Sequence, residues 1–197
     1  MEGWYYFQQA ISVYALMQLV DASGNSCSLQ TNGGGQFEIV HNRNGNYQNA
    51  TAITLGSMRA PENNTWFHLA VVKQNSGITT VCYNGLRIFD VAAPSGHTWV
   101  FGEGAAFSVG RTLPNGDGWN WQGRVTWTNS RVSRGALYTT NTFTPAFPCE
   151  ERSTTAVLLK GNPPMSLGVT PQITGPPGTP ITFTTQLMPA FGSFIPD

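Results

Sequence analysis

The chain has 197 residues, and its ten Lys+Arg balance ten Asp+Glu, so the formal charge is zero. A neutral chain with singly scattered basic residues has no field to draw it onto phosphate, which excludes nucleic acid as the expected partner. Charged residues make up only 10% of the chain, against roughly a quarter in ordinary soluble domains, so Asn, Thr, Ser, Gly and Gln must cover the surface. With 12% aromatics and 22 glycines, this is the composition of an extracellular or particle-borne all-β protein, not of a disordered one.

Strand signals begin at once. Trp4-Tyr5-Tyr6-Phe7 and the run Ile11 to Val20 are apolar, and the second ends at the turn Asp21-Ala22-Ser23-Gly24-Asn25. The second run also has the length of a short helix, but its Ile, Val and Tyr content and the turn that follows favour a strand. After Gly33-Gly34-Gly35, the alternation in Gln36-Phe37-Glu38-Ile39-Val40 puts Phe37 and Ile39 on one face, and an Asn/Gly-rich loop is expected over 41–48. Trp66 to Lys73 has the period of two of a half-buried strand. The turn Gln74-Asn75-Ser76-Gly77 reverses it, Ile78 to Tyr83 returns, and Asn84-Gly85 supplies the positive φ angles that fold Leu86 to Val91 back as a third strand.

Further on, Ala106 to Gly110 and Gly123 to Thr128 flank the loop Leu113 to Asn120, and strands at similar spacing are expected down to Leu137-Tyr138. Many short strands with frequent turns predict an antiparallel β-sandwich or barrel with almost no helix. From Phe143 onward the chain holds ten of its thirteen prolines. Proline fixes φ and removes a donor, so this stretch reads as extended, with strand-capable islands at Thr155 to Leu159 and Ile181 to Thr185. The expected organisation is a β domain over 1–160 and an extended proline-rich arm over 161–197, which docks on its own body or on a neighbouring copy.

No apolar run approaches the about 18 residues of a membrane span, and Met1-Glu2-Gly3-Trp4 has neither the basic start nor the apolar stretch of a signal peptide. The expectation is a chain that does not use the general secretory route or insert in membranes. Cys27, Cys82 and Cys149 are an odd number without metal-ligand spacing, which favours three reduced thiols. In that setting the sequons at Asn49 and Asn63 carry no meaning.

The strands also resemble a known family. Trp66-Phe67-His68-Leu69-Ala70-Val71-Val72-Lys73 followed by Tyr83-Asn84-Gly85 resembles the W-x-H-(V/L)-A-x-x-(R/K)…Y-x-(N/D)-G hairpin of laminin-G-like, concanavalin A-like jelly-roll domains. Glu2-Gly3-Trp4 is similar to their E-x-W strand, and Phe107-Ser108-Val109-Gly110-Arg111 to their F-x-(I/V)-G-R strand. The stretch from Gly123 to Pro145, with Arg131, Val132, Gly135, Ala136, Leu137, Tyr138 and Phe143-Thr144-Pro145, is similar to the ending of laminin-G-like proteins of phages and prophages. Thr155 to Leu159 is similar to the strand that follows in those proteins, so the resemblance covers about residues 2 to 160. It implies a jelly roll whose first family strand is missing before Met1, an open edge that Val157-Leu158-Leu159 is expected to fill.

The resemblance, the reduced-looking cysteines and the missing export signal together predict a non-enzymatic bacteriophage virion protein, assembled in the host cytoplasm. It would be displayed on the particle as a capsid decoration (cement) protein or a tail or fibre adhesin. The expected partners are other capsid or tail proteins and further copies of itself, as a trimer or larger ring. Ile181, Phe183, Leu187, Phe191 and Phe194 are the apolar side chains with which the arm would dock.

Three site chemistries compete with that reading. Glycosidases on this fold need two carboxylates about 5 Å apart on a strand, and the one close pair, Glu150-Glu151, sits in a proline-flanked loop. His41, His68 and His97 have no triad or metal spacing, and His68, inside the hairpin, reads as a packing and hydrogen-bonding residue. No catalytic residue, resident cofactor or metal is therefore expected. Asn115, Asp117 and Asn120 put oxygens in one loop, but Ca²⁺ wants six to eight oxygens and more negative charge, so a plain turn is favoured over a calcium site. The same loop carries Trp119 and Trp121, read either as core or interface anchors or as a platform on which one indole stacks on a sugar beside the Asn side chains. The alternative function is thus a lectin that recognises a host-surface glycan through Asn115, Asp117, Trp119, Asn120 and Trp121.

Overall fold

A computed structural model describes residues 1–7, 15–43, 46–59, 65–74, 76–93, 105–110, 125–133, 135–147, 149 and 152–159. Among them are eleven strands and no helix: β1 (Glu2–Phe7), β2 (Ala15–Val20), β3 (Ser26–Thr31), β4 (Gln36–Arg43), β5 (Asn46–Arg59), β6 (Trp66–Lys73), β7 (Ile78–Tyr83), β8 (Leu86–Ala92), β9 (Ala106–Val109), β10 (Val125–Ser133) and β11 (Thr155–Leu159). They form two sheets, one in the order β11-β10-β1-β6-β7-β8 and one in the order β5-β4-β3-β2-β9. Every ladder is antiparallel.

The turns follow from side chains that replace backbone partners. Between β2 and β3, Asp21 Oδ1 accepts from the backbone N–H of Ser23 and Asn25, each at 2.9 Å, and Gly24 takes φ 82°. Between β7 and β8, Asn84 (φ 46°) and Gly85 (φ 81°) make the reversal expected of an Asn-Gly pair. The loop expected over 41–48 is much shorter. β4 continues to Arg43 and β5 starts at Asn46, because ladder bonds such as His41↔Thr51 hold these polar residues in the sheet. β5 itself, long and rich in Asn, Thr and Ala, carried no clear strand signal in its sequence.

The two sheets face each other across a core of alternate side chains. Tyr5, Phe7, Phe67, Leu69, Val71, Val81 and Trp127 come from the six-stranded sheet; Met17, Leu19, Leu29, Phe37, Ile39, Phe107 and Val109 come from the other. Phe67 sits at the centre, with ring centroids 5.3 Å from Phe7, 6.0 Å from Tyr5, 6.1 Å from Phe37 and 5.8 Å from Tyr83. Each such buried side chain contributes about 1.5–3 kcal/mol by leaving water, so the seam between the sheets holds the body together. All three cysteines are unpaired and buried, and burial pushes the thiols up, to about 12 for Cys27 and Cys149 and about 11 for Cys82.

The strand expected at Leu137-Tyr138 is instead part of an extended strap. Residues 135–147 cross the outer face of the six-stranded sheet, and their backbone reaches the start of β8 rather than a full ladder. Phe143 N donates to Gly85 O (2.8 Å), Arg87 N donates to Asn141 O (2.9 Å), and Leu86 pairs with Thr142 as an isolated bridge. β11 lies outermost, paired to β10. Gly85, in the turn against which the strap lies, has a second constraint besides its φ, because a Cβ there would run into the Phe143 carbonyl oxygen.

Gly77, with φ 84° and nothing within 4 Å of its Cβ position, isolates the cost of φ alone. Gly77→Ala is expected to lose about 1–2 kcal/mol in urea unfolding, the left-handed penalty. Gly85→Ala should lose clearly more, because it also displaces the strap; equal losses for the two variants would show that the strap contact carries no weight.

Candidate functional site

The chemistry-bearing side chains gather where the strap meets the sheet, and a backbone irregularity puts them there. Along β10, strict alternation would place Trp127, Asn129 and Arg131 on one face. The register breaks between Trp4↔Thr128 and Glu2↔Arg131: β10 advances three residues while β1 advances two. The extra residue is Asn129, with φ 47°, a β-bulge residue. After it, the phase is reversed, so Val132 joins the core with Trp127 while Arg131 turns to the outer face beside Glu2. On the other side of β1, the register Glu2↔Ala70 and Trp4↔His68 brings His68 to the same face.

Four polar side chains meet there. Glu2 Oε1 accepts from Arg131 Nε at 2.7 Å and from Arg131 Nη2. Glu2 Oε2 accepts from the Tyr138 hydroxyl at 2.5 Å and lies 2.9 Å from His68 Nε2. The His68 and Arg131 side chains have no exposure and Glu2 has 4%. Aromatic rings close the top: Tyr138 and Phe143 of the strap stack at 3.6 Å, Phe143 meets His68 edge-on at 5.9 Å, and Trp4 lies 5.3 Å from both His68 and Phe147. The Trp4 Nε1–H donates to Ala146 O at 3.0 Å, and beyond the strap Cys149 Sγ bonds Asn129 O, the bulge residue, at 2.9 Å. On β6, the backbone of His68 is bonded both ways by Asn84, whose Oδ1 accepts from His68 N at 2.8 Å and whose N–H donates to His68 O at 2.9 Å.

Burial by itself would raise the Glu2 carboxyl, but hydrogen bonds from His68 and Tyr138 and the charges of His68 and Arg131 outweigh it and hold the carboxyl at about 2. Burial, then the neighbouring Glu2 carboxylate, pushes the Tyr138 phenol up. An acid, an imidazole and a phenol in contact are the parts of a general acid–base site, which has to reach the proton of a substrate. Here both carboxylate oxygens are taken up by internal donors and aromatic rings close over the group. The arrangement works as a joint that fixes the strap to β1, β6 and β10.

The expected glycan residues Asn115, Asp117, Trp119, Asn120 and Trp121, and the arm residues Ile181, Phe183, Leu187, Phe191 and Phe194, lie outside the described residues. His68 is the buried, hydrogen-bonded sheet residue that its place in the hairpin predicts. Its partners Glu2, Arg131 and Tyr138 were not foreseen as a group. The available signal was two opposite charges inside strands of a chain with few charges.

A second polar region lies on the outer face of the five-stranded sheet. At its open end, Glu38 accepts from Asn32 Nδ2 (3.1 Å), Thr54 Oγ1 (3.2 Å) and Gln30 Nε2 (3.5 Å). Among the described residues, no group of three or more His, Cys, Asp and Glu side chains has the geometry to hold a metal ion.

Arg131→Met leaves a buried carboxylate without its cation and should cost about 3–5 kcal/mol in urea unfolding. The double variant Glu2→Gln with Arg131→Met should cost less than the sum of the two single changes, the signature of a coupled pair. The acid limb gives a separate check. Glu2 titrates at about 2 in the fold against an ordinary 4.5, so its contribution is complete above about pH 4.5 and is lost as pH falls toward 2. Glu2→Gln should therefore flatten the fall in stability between about pH 4.5 and 2; an unchanged slope would remove Glu2 from the origin of the acid sensitivity.

No protein-family model matches the chain, and no curated protein matches it.

Proposed function

We propose that this chain is a non-enzymatic structural protein of a bacteriophage virion: a laminin-G-like jelly roll displayed on the particle surface as a decoration protein or a tail or fibre adhesin, docked through its arm over 161–197. The observation that carries the reading is the convergence of the family-like fragments. Glu2 and Trp4 of E-x-W, His68 of the W-x-H strand, Asn84 and Gly85 of the turn, and Arg131, Tyr138 and Phe143 of the phage-like ending are scattered over some 140 positions of the sequence. All of them meet in one joint. Residues that match a motif because the fold needs them should meet in this way, and they support the jelly-roll reading over a catalytic one. A buried internal joint with a neutral polar surface suits a rigid display module.

Glycan recognition is the second reading, favoured by the neutral amide and hydroxyl side chains on the outer face of the five-stranded sheet. A virion lectin would satisfy both.

Light scattering tests the first reading on the full chain and on a version ending at Asn162, each alone and mixed with empty phage particles. The full chain is expected to self-associate or coat particles, and the shorter one to do neither while keeping its β circular dichroism. A full chain that stays monomeric and ignores particles overturns the docking role.

A further inference from the structure

The outer face of the six-stranded sheet already holds one proline-flanked segment. Trp4 Nε1–H donates to Ala146 O at 3.0 Å, and the Phe147 ring meets the Trp4 indole edge-on at 5.3 Å; in the sequence Pro145 precedes Ala146-Phe147 and Pro148 follows it. Extended proline-rich chains are recognised by aromatic surfaces, and because the extended form has no internal hydrogen bonds, its carbonyls are free to accept from a nearby donor. One step along the same face the pairing of indole and aromatic ring is repeated. Tyr5, Phe7 and Phe67 point into the core, so Tyr6 and Trp66 turn outward with Trp4 and His68. They stand opposite each other in the β1–β6 register with ring centroids 5.5 Å apart, and both keep part of their surface exposed. The Trp66 Nε1–H is withdrawn from water with no hydrogen-bond partner among the described residues, and a donor in that condition calls for an acceptor.

A segment of matching chemistry starts close by. β1 and β11 both run antiparallel to β10, so the chain leaves β11 in the direction in which β1 runs from Trp4 to Tyr6. Leu159 stands opposite Ser130, level with the start of β1, and β10 alone separates β11 from β1. Tyr6 is therefore two strand spacings across and about three residues further along, roughly 14 Å away at ~4.8 Å per strand and ~3.3 Å per residue. An extended chain covers that in about four or five residues at ~3.1 Å each, which is where Pro163 and Pro164 stand after Leu159. The stretch Gly161 to Leu167 carries no charge, and neither proline brings an N–H that burial would leave unpaired. We propose that the Tyr6–Trp66 pair seats the root of this chain's own arm: Pro163-Pro164 lies across the two rings, and a carbonyl of the 161–164 segment accepts from Trp66 Nε1–H. The arm then starts outward from a set place on the surface, whatever the remainder of it meets.

Two measurements on the full chain test this. The indole N–H signals are recorded by heteronuclear NMR, with Trp66 assigned by the signal lost in Trp66→Phe. Its N–H is expected to exchange slowly with water in the parent. Pro163→Ala combined with Pro164→Ala should move that signal and speed its exchange tenfold or more, while the Trp4 N–H, held by Ala146 O, stays unchanged as the control for the fold. A Trp66 signal indifferent to both prolines overturns the proposal, and one that cellohexaose shifts while the proline changes do not gives the surface to a glycan instead. Independently of any variant of Trp66, p-benzoylphenylalanine in place of Met165 should photocrosslink to the peptide holding Tyr6 or Trp66 within a monomer-sized band. The same crosslink in a dimer-sized band overturns the own-chain assignment in favour of a second copy's arm, and a crosslink to neither peptide overturns the site.

Discussion

The buried pairing of Glu2 with Arg131 is the constraint on which the outer half of this molecule depends. A carboxylate and a guanidinium withdrawn from water are costly unless their remaining donors and acceptors are met. Here the carboxylate is met four times over, by two nitrogens of Arg131, by Tyr138 and by His68. Each partner comes from a different element: Arg131 from β10, His68 from β6, Tyr138 from the strap. The requirement to satisfy one acid therefore ties both neighbours of β1, and the segment crossing over them, to a single arrangement.

The bulge at Asn129 makes the pairing available without loss to the core. In an unbroken ladder Trp127 and Val132, five residues apart, would lie on opposite faces of β10, and one of them would leave the core. One extra residue resolves the conflict and turns Arg131 outward. The same residue accepts the Cys149 thiol through its carbonyl, so the return of the chain after the strap is anchored to the irregularity that created the site. The joint and the aromatic seam around Phe67 are on opposite faces of β1 and β6, which are the two strands both systems share.

The two outer faces of the sandwich have unlike chemistry. That of the six-stranded sheet is closed by a strap, with its charges neutralised internally. That of the five-stranded sheet has neutral polar side chains, some of them without partners.

Much of the architecture was legible in the sequence because it depends on local chemistry. The period of two in Trp66 to Lys73, the Asn84-Gly85 pair and the Asp21 to Asn25 turn are short-range signals, and β6, β7, β8 and the β2–β3 turn follow them closely. So does Thr155 to Leu159, an apolar island in a proline-rich stretch that forms β11. What the sequence could not decide was long-range. β5 depends on ladder bonds to β4 that its Asn- and Thr-rich sequence does not announce, and the Leu137-Tyr138 stretch looks like a strand but is held as a strap by Glu2, more than 130 residues earlier. The meeting of Glu2, His68 and Arg131 depends on strand order and on one bulge, and neither is encoded in the spacing of those residues. Sequence determined the strands and turns that local chemistry marks; only the tertiary structure decided β5, the strap and which faces the strands share, because register and burial are properties of pairs of segments and not of any one of them.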